Sequence, residues 1–272
     1  TLQVAEECYL WLNSIGMTRS DTVVAVGGGA ATDLGGFVGA TYLRGIETVL
    51  VPTTLLAAVD AAIGGKTAVN VGGKNLAGVF SHPARVVVDT AVLGGLAEHL
   101  LIEGAAEAVK AGFIADPGLV ELYQSHGLAA PISEVVIRAV KVKAAVVSED
   151  FTEQGRRAIL NYGHTVGHAI EHVAQIPHGH AVAIGMVAAG AASALVTGFR
   201  SEQEQRDLLA TLQLPTVSPP VARDAIEAAM ALDKKRDASG MRMVLLEAFG
   251  KPIVTTVDTT TVRAALRAVG IG

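Results

Sequence analysis

Two kinds of apolar pattern alternate along the first part of the chain, and each predicts a different element. Apolar side chains recur at helical spacing over 1–15 and again over 30–40, so both stretches are predicted to be helices. Three short continuous apolar runs have the pattern of buried parallel strands: 23–26, 48–51 and 86–88. Strands that alternate with helices predict a parallel, Rossmann-like sheet.

From Leu93 onward, the pattern changes to successive alanine-rich helical segments. They are predicted at 96–114, 132–147, 157–174, 181–198, 202–212 and 222–232. Strand character returns only at 243–246 and 253–257. We therefore expect an α/β protein with a Rossmann-like parallel-sheet nucleotide domain over 1–92 and a mostly α-helical second domain over 93–272.

Composition argues against several classes of protein. Half of the residues are apolar, which is enough for a sizeable core and argues against disorder. The net charge is −5 and no dense lysine or arginine run occurs, so nucleic acid is not an expected partner. The single cysteine, Cys8, and the lack of a signal-peptide pattern after Thr1 predict a cytoplasmic protein.

One segment, 181–199, carries no charge over 19 residues and could in principle span a membrane. Seven of these residues are alanine and three are glycine, which insert into a membrane less well than leucine or isoleucine. A buried helix that packs closely through small residues is therefore expected, with no membrane contact.

A glycine turn stands where the first predicted strand meets a helix. Its sequence, G-G-G-A-A-T-D-L-G-G over 27–36, would let backbone N–H groups approach a pyrophosphate at the positive end of the helix. The spacing differs from the G-x-G-x-x-G fingerprint, so a tight turn between packed elements remains an alternative.

Polar side chains are concentrated after the second predicted strand. P-T-T at 52–54 is followed by Asp60, by G-G-K-T-A-V-N at 64–70 and by G-K-N at 73–75. Ligands of open α/β sheets bind at the carboxyl ends of strands, so this stretch is a candidate binding region. It is not a Walker P-loop, because Asp60 stands where that motif needs glycine. A solvated loop with two surface lysines is the alternative.

Five of the eight histidines lie close together in sequence: His164, His168, His172, His178 and His180. The first three are spaced i, i+4, i+8 and share one helix face. Imidazoles at this density beside Glu171, with Glu107 elsewhere, suit a divalent metal such as Zn²⁺. Spacing alone would choose His164 and His168 as the ligand pair. Solvated or core histidines are the alternative, above all for His172.

At these residues the sequence resembles the 3-dehydroquinate synthase family of sugar phosphate cyclases. The matching motifs follow the family's order from residue 27 to 186: GGGAATDLGGFVGATYLRG, VPTTLLAAVDAAIGGKTAVN, GKNLAGVF, AEAVK, EQGRRAILNYGHTVGHAIE and HGHAVAIGM. Weaker similarity extends to D-K-K at 233–235 and to M-R-M-V-L-L. Family chains carry a further segment before the position of Thr1, with the first strands of the nucleotide domain, so we expect this domain to be incomplete at its N-terminus.

The resemblance implies a role for individual residues. Glu107, His164 and His178 match the family's three metal ligands, whereas His168 matches a residue that meets the substrate phosphate. The cofactor-binding set is Gly28, Gly29, Asp33, Thr53, Thr54, Asp60, Lys66 and Lys74. The catalytic set that lines the substrate is Lys66, Asn75, Lys143, Arg157 and Asn161, with His168 and, from the second subunit of a homodimer, Arg44. Lys110 and Glu153 match further positions around the pocket.

The implied activity is the conversion of 3-deoxy-D-arabino-heptulosonate 7-phosphate to 3-dehydroquinate and phosphate, in the shikimate pathway of aromatic amino-acid biosynthesis. In the family, NAD⁺ oxidises a ring hydroxyl, phosphate is eliminated, NADH returns the hydride and the opened ring closes by an aldol step. The expected cofactors are NAD and a divalent metal, Zn²⁺ or Co²⁺, which polarises the reacting groups. No dedicated general base is assigned, because the phosphate can take the proton itself.

Three alternatives stay open. Asn161 and His168 favour a 3-dehydroquinate synthase over a related cyclase that makes an inosose or a valiolone, because these phosphate-side positions tend to differ in the relatives. Metal-dependent alcohol dehydrogenases share the architecture but release NADH. A truncated, non-catalytic subunit with the same fold is the third alternative.

Two positions depart from the family pattern. His180 stands where the family usually has an acid, and Ala68 stands where it usually has glycine. We expect His180 to lie beside the metal ligands without joining them. The C-terminal cation that meets phosphate has two candidates, Lys235 and Arg242.

Overall fold

The computed structural model describes residues 1–232, 236–237 and 240–272, so the candidate Lys235 lies outside the described residues. The helices are α1 (Leu2–Ser14), α2 (Gly29–Thr41), α3 (Thr90–Gly94), α4 (Glu98–Ile114), α5 (Pro117–His126), α6 (Ile132–Glu149), α7 (His164–Ala174), α8 (His178–Val196), α9 (Glu202–Thr211), α10 (Arg223–Leu232) and α11 (Thr259–Ala268). The strands are β1 (Thr22–Gly27), β2 (Glu47–Pro52), β3 (Lys66–Val69), β4 (Ala77–Phe80), β5 (Arg85–Val86), β6 (Arg236–Asp237), β7 (Gly240–Ala248) and β8 (Lys251–Val257). Short 3₁₀ turns occur at 42–44, 127–129 and 156–161, and a π-helical segment at 57–61.

A parallel sheet of order β1-β2-β5 forms the N-terminal part, which confirms the α/β class. Helix α2 packs on one face of it, and two glycines permit the close approach. A Cβ on Gly35 would lie 2.3 Å from Cβ of Ala25, and a Cβ on Gly39 would lie 2.0 Å from Oγ1 of Thr48. The N-terminus of α2 is thereby held at the carboxyl end of β1, where open α/β sheets bind their ligands.

The other face of this sheet carries exposed valines. Val24 and Val26 of β1 are 57% and 61% exposed, and Val87 beyond β5 is 48% exposed. Parallel sheets are normally covered on both faces. Among the described residues, α2 covers only one of the two.

Helix α8 is the central helix of the C-terminal part. It is long and apolar enough to cross a membrane by length and composition, and 72% of its most apolar window is buried inside the protein. This burial agrees with the predicted core helix, although α8 begins at His178, three residues before the predicted start. Its small residues allow close packing against α7, since a Cβ on Gly185 would lie 1.9 Å from the carbonyl oxygen of Gly163.

The predicted single helix over 157–174 is wrong. A 3₁₀ turn at 156–161 ends at Tyr162, and α7 starts only at His164. Gly163 lies between them with φ of 80°, a left-handed conformation that ends the first segment. The break matters for function because it places His164 at the first position of a helix.

Several elements were not predicted. The stretch predicted to be a binding loop carries β3, which pairs antiparallel with β4 just after it, and α5 and α11 are additional helices. Helix α5 has a clear start signal in its sequence, because Asp116 caps the N-terminus and Pro117 occupies the first turn. The strands predicted at 243–246 and 253–257 form the antiparallel pair β7-β8.

Candidate active site

Three helices bring one carboxylate and two imidazoles together. Glu107 lies in the buried middle of α4, His164 opens α7 after Gly163, and His178 opens α8 after Pro177. Their candidate ligand atoms all lie within 4.8 Å of one another. The glycine and the proline each start a helix at the residue that carries the imidazole.

The distances inside this cluster fit a shared metal ion. Oε1 of Glu107 lies 3.5 Å from Nε2 of His164 and 3.4 Å from Nε2 of His178. Zinc–ligand bonds of about 2.0–2.1 Å at tetrahedral angles place two donor atoms about 3.4 Å apart. Among the described residues, Oε1 of Glu107 is also a buried oxygen without a hydrogen-bond partner. Buried polar atoms are rarely unpaired, so a cation is the partner that this donor set fits.

The outer nitrogens of both imidazoles are already engaged. Nδ1 of His164 lies 3.1 Å from the carbonyl oxygen of Tyr162, and Nδ1 of His178 lies 2.8 Å from Oε2 of Glu171. A carbonyl and a carboxylate only accept, so each Nδ1 carries the proton and donates. Both Nε2 lone pairs are therefore left facing Glu107, as metal-ligating histidines are usually arranged.

Charge in the cluster follows from burial and from neighbouring groups. Burial raises the pKa of Glu107, but Lys110 and His164 outweigh this effect and hold the pKa well below its ordinary value. Burial and Lys110 lower the pKa of His164 well below its ordinary value, so this imidazole is neutral. Burial also disfavours charge on His178, but the neighbouring carboxylates of Glu107 and Glu171 raise its pKa to about 9. Without a metal, a proton therefore occupies part of this cluster.

A second group of candidate ligands shares His178 with the first. His168, Glu171 and His178 also have ligand atoms within 4.8 Å of one another. The rings of His164 and His168 are 4.9 Å apart at their centroids, edge to face. The pair chosen by helical spacing is thus adjacent in space. Spacing within one helix, however, cannot reveal Glu107, which comes from α4.

Lysines of the predicted site are paired with carboxylates. Lys143 donates to the carbonyl oxygen of Asp60 at 2.5 Å and forms an ion pair with its carboxylate. Lys66 pairs with Glu153, whose other oxygen accepts from Nδ2 of Asn161 at 2.6 Å. Three residues predicted to contact the substrate, Lys66, Lys143 and Asn161, are therefore held in place by carboxylates of other segments.

Arg157 is 1% exposed, the deepest of the predicted cationic residues. Its guanidinium donates to the carbonyl oxygens of Gly64, at 2.9 Å, and Phe151. Burial lowers its pKa. Arg157 thus braces the glycine turn before Lys66 against the segment that follows α6.

The predicted cofactor residues surround the N-terminus of α2. In the described residues, no side chain caps this terminus at Gly28, so its first N–H groups can receive an anion. A Cβ on Gly28 would lie 3.2 Å from Cγ2 of Thr54, and one on Gly29 would lie 3.4 Å from Cβ of Ala61. The backbone N–H of Thr53 donates to the carbonyl oxygen of Gly27 at 2.8 Å. The glycine turn is therefore packed tightly against the loop after β2.

Asp33, one turn into α2, is partly buried beside this loop. Burial, and then the nearby charge of Asp60, raise the pKa of Asp33 to about 7, although Lys143 and Lys74 oppose the shift. These three neighbours link Asp33 electrostatically to the rest of the site.

Three residues of interest, Asn75, Arg44 and Arg242, are exposed, whereas His180 is half-buried in α8. Asn75 has φ of 56° in an exposed loop, where its N–H donates to Oδ1 of Asn70 at 2.9 Å. Arg44 is exposed with φ of 68°, and none of its described contacts joins it to the metal cluster. Arg242 is exposed on β7, and His180 lies two residues after His178 in α8.

The sequence places Glu171 beside the clustered histidines, but no separate role was predicted for it. It accepts from His178 and pairs with Lys74. Its position seven residues after His164 puts it on the same helix face as that ligand, a spacing that could have pointed to it.

Family models account for nearly the whole chain. The model of the 3-dehydroquinate synthase N-terminal domain matches residues 1–103, and that of the C-terminal domain matches residues 104–236. The chain belongs to the 3-dehydroquinate synthase family.

Curated members of the 3-dehydroquinate synthase family are also similar in sequence. The 3-dehydroquinate synthase of Corynebacterium jeikeium is 47% identical over 263 residues, which cover 93% of this chain and 71% of the relative. That of an Arthrobacter species is 45% identical over 277 residues, which cover 97% of this chain and 76% of the relative. This chain is accordingly an enzyme, a carbon–oxygen lyase of the 3-dehydroquinate synthase type.

Solved structures of related cyclases superpose closely on the chain. A 2-deoxy-scyllo-inosose synthase complexed with carbaglucose-6-phosphate, NAD⁺ and Co²⁺ has a TM-score of 0.90 at 29% identity, covering 98% of this chain and 79% of that one. A 2-epi-5-epi-valiolone synthase from Streptomyces hygroscopicus, with NAD⁺ and Zn²⁺ bound, has a TM-score of 0.90 at 28% identity, covering 99% and 79%. Both are less similar in sequence than the 3-dehydroquinate synthases, which disfavours the alternative cyclases. A probable glycerol dehydrogenase from Sinorhizobium meliloti, with a TM-score of 0.66 at 16% identity over 98% of this chain and 80% of that one, shares the fold alone.

Proposed function

We propose that this chain makes 3-dehydroquinate and phosphate from 3-deoxy-D-arabino-heptulosonate 7-phosphate at the cluster of Glu107, His164 and His178. The observation that carries the proposal is the unpaired buried oxygen of Glu107 facing two Nε2 atoms at 3.4 and 3.5 Å. A divalent cation there, Zn²⁺ or Co²⁺, would supply Lewis-acid polarisation of the reacting hydroxyl and ketone. The chain's own residues hold that ion through neutral Nε2 atoms and one carboxylate.

The substrate would be held by the paired cations and amides around the cluster. The proposed substrate-binding residues are Lys66, Asn75, Lys143, Arg157, Asn161 and His168. A substrate that carries a phosphate and a carboxylate would offer an anionic partner to Lys66 in place of Glu153, at a position where the lysine is half exposed. Fixed cations around a bound anion orient it and stabilise charge that develops during elimination.

The cofactor NAD, which supplies reversible hydride transfer, would lie against the N-terminus of α2. The residues proposed to hold it are Gly28, Gly29, Asp33, Thr53, Thr54, Asp60, Lys66 and Lys74. The uncapped N–H groups of α2 suit a pyrophosphate. The cofactor set lies in the nucleotide domain over 1–92 and the metal ligands in the second domain over 93–272, and Lys66 and Asn75 bring substrate contacts from the first domain.

The proposal includes a cytoplasmic homodimer that serves the shikimate pathway. Arg44 supports the dimer, because it is exposed and lies on a left-handed backbone between α2 and β2, where it can reach a second copy. Light scattering after size-exclusion chromatography measures the molar mass in solution and tests the proposed dimer. A monomer at the assay concentration would contradict it.

The activity is tested with the heptulosonate phosphate, catalytic NAD and Zn²⁺. Phosphate and dehydroquinate should appear in equal amounts without a lasting rise in absorbance at 340 nm, because the hydride is returned. Lasting accumulation of NADH would instead favour an alcohol dehydrogenase. Glu107→Ala should abolish turnover, whereas His172→Ala, at an exposed position of α7, should retain it.

Binding measurements distinguish an active enzyme from a non-catalytic chain with the same fold. If calorimetry shows that the chain binds Zn²⁺ but not NAD, and no product forms, the non-catalytic alternative is correct and the proposed activity is wrong.

A further inference from the structure

Glu171 stands between the metal cluster and the loop that carries Lys74. Its Oε2 accepts from Nδ1 of His178 at 2.8 Å, and its Oε1 pairs with Nζ of Lys74. The side chain is 20% exposed, as is that of His178. Both oxygens of one carboxylate are thus used, one toward each partner.

Nδ1 of His178 and Oε2 of Glu171 are separated by the length of a hydrogen bond, which is too short for two atoms that bind one metal ion. Two donors on one tetrahedral ion lie about 3.4 Å apart, which matches the separations at Glu107 but not the 2.8 Å at Glu171. Glu171 therefore acts on His178 from outside the cluster. It fixes which nitrogen carries the proton and which way the ring faces.

The pair with Lys74 holds the carboxylate in place. Lys74 is 57% exposed, so the ion pair contributes little to stability by itself. It nevertheless engages Oε1 and leaves Oε2 directed at the imidazole. Because Lys74 lies 97 residues before Glu171 in the sequence, the contact joins the loop after β3 to the last turn of α7 and, through His178, to the first residue of α8.

We propose that Glu171 is a positioning residue that orients the metal ligand His178 and is itself held by Lys74 from the cofactor-binding loop. The inference depends on the metal centre of the proposed function. Lys74 and His178 use the same carboxylate. A ligand bound at the loop of Lys74 and a metal ion bound by His178 would therefore each change the affinity for the other.

Metal affinity tests this role without relying on activity. Glu171→Ala in the full chain should weaken Zn²⁺ binding about 10–100-fold in competition with a chromophoric chelator, the usual range for loss of such a partner. Glu171→Gln keeps an oxygen that can accept from Nδ1, so it should recover most of the affinity. Lys74→Met should have a smaller effect than Glu171→Ala, and His172→Ala, the neighbouring exposed residue, should have none.

The Co²⁺ form gives a second measurement. Its visible spectrum should change in intensity or position for Glu171→Ala but not for His172→Ala, because the geometry of the ligands depends on the ring of His178. Thermal unfolding of the metal-free variants checks that each is folded. If Glu171→Ala does not fold, Glu171→Met, which keeps the length of the side chain but offers Nδ1 no oxygen acceptor, takes its place with the same expected loss of affinity.

The two possible failures are distinguishable. If the wild-type chain binds Zn²⁺ and Glu171→Ala binds it within a factor of ten with an unchanged Co²⁺ spectrum, the inference about Glu171 is wrong and the metal centre stands. If the wild-type chain itself binds no Zn²⁺, the proposed metal centre fails first.

Discussion

Buried charge in this site is balanced by individual pairs. Lys110 faces Glu107, Lys143 faces Asp60, and each pair lies among groups from other elements. Replacing one member of such a pair leaves the other as an uncompensated buried charge, whereas replacing both members with apolar residues leaves no buried charge. The residues that would handle substrate are therefore also coupled to the stability of the metal-free chain.

The pair of Glu107 and Lys110 gives the first prediction at this scale. Glu107→Gln should destabilise the metal-free chain by about 3–5 kcal/mol, because Lys110 is left buried without its carboxylate. The double variant Glu107→Gln with Lys110→Met should be more stable than Glu107→Gln alone. Urea unfolding in the presence of EDTA measures both, and a double variant that is less stable than Glu107→Gln would contradict the pairing.

Asp33 gives a pH-dependent prediction. Its folded-state pKa of about 7, raised by burial and then by Asp60, exceeds the ordinary 3.8. The folded chain therefore binds more protons than the unfolded chain between these values, and this group's contribution to stability falls as pH rises through the window. Since asparagine cannot ionise, Asp33→Asn should gain stability relative to wild type between pH 4 and pH 8, by on the order of 2–4 kcal/mol.

The comparison of the two chains in urea at several pH values, with EDTA present, checks this prediction. Taking the difference between them cancels the histidines that titrate in the same range. An equal difference at pH 4 and pH 8 would show that Asp33 has an ordinary pKa.

At the scale of elements, the metal cluster depends on how closely α7 and α8 pack. Each helix begins at one of the proposed ligands, His164 or His178, so a shift of one helix against the other moves the two imidazoles apart. Glycines at the crossing make the approach possible. A Cβ at Gly185 would lie 1.9 Å from a backbone oxygen of Gly163, which no side-chain movement can relieve.

Gly185→Ala should therefore lower stability by about 2–3 kcal/mol or more and weaken Zn²⁺ binding as well. The matched control is Gly94→Ala in α3, where an added Cβ meets nothing within 4 Å. That variant should be neutral or slightly more stable, since alanine favours a helix. Urea unfolding and chelator competition measure both effects, and equal behaviour of the two variants would contradict the packing argument.

The hydrophobic periodicity of the sequence predicts much of this fold, but it fails where a single residue interrupts the pattern. The strands before the glycine turn and before Pro52 were readable because buried parallel strands are continuous apolar runs. The helix over 157–174 was not, because the left-handed Gly163 interrupts an otherwise continuous helical pattern. The hairpin of β3 and β4 was also missed, since its two four-residue strands flank the glycine-rich stretch 70–76, which looks like a loop.

Local patterns in the sequence also reveal only part of the candidate site. Periodicity within one helix brings His164 next to His168, and these rings are indeed adjacent. It cannot bring in Glu107, which belongs to a helix more than fifty positions earlier, and only the family's motif pointed to that residue. The contact between Lys74 and Glu171 joins two segments 97 residues apart, so no local pattern could have indicated it.

At the scale of the whole molecule, the site lies where two kinds of architecture meet. The uncapped end of α2 at the carboxyl ends of β1 and β2 provides a place for an anionic cofactor. The beginnings of α7 and α8 provide the imidazoles. Ion pairs between residues far apart in the sequence, Lys143 with Asp60 and Lys74 with Glu171, connect the two parts.

The most direct test of the metal centre is anomalous diffraction from crystals of the Co²⁺-loaded chain. The account predicts one strong peak with Oε1 of Glu107 and Nε2 of both His164 and His178 at about 2.0–2.2 Å. A peak held by His168 and Glu171, or no ordered cobalt near Glu107, would contradict it.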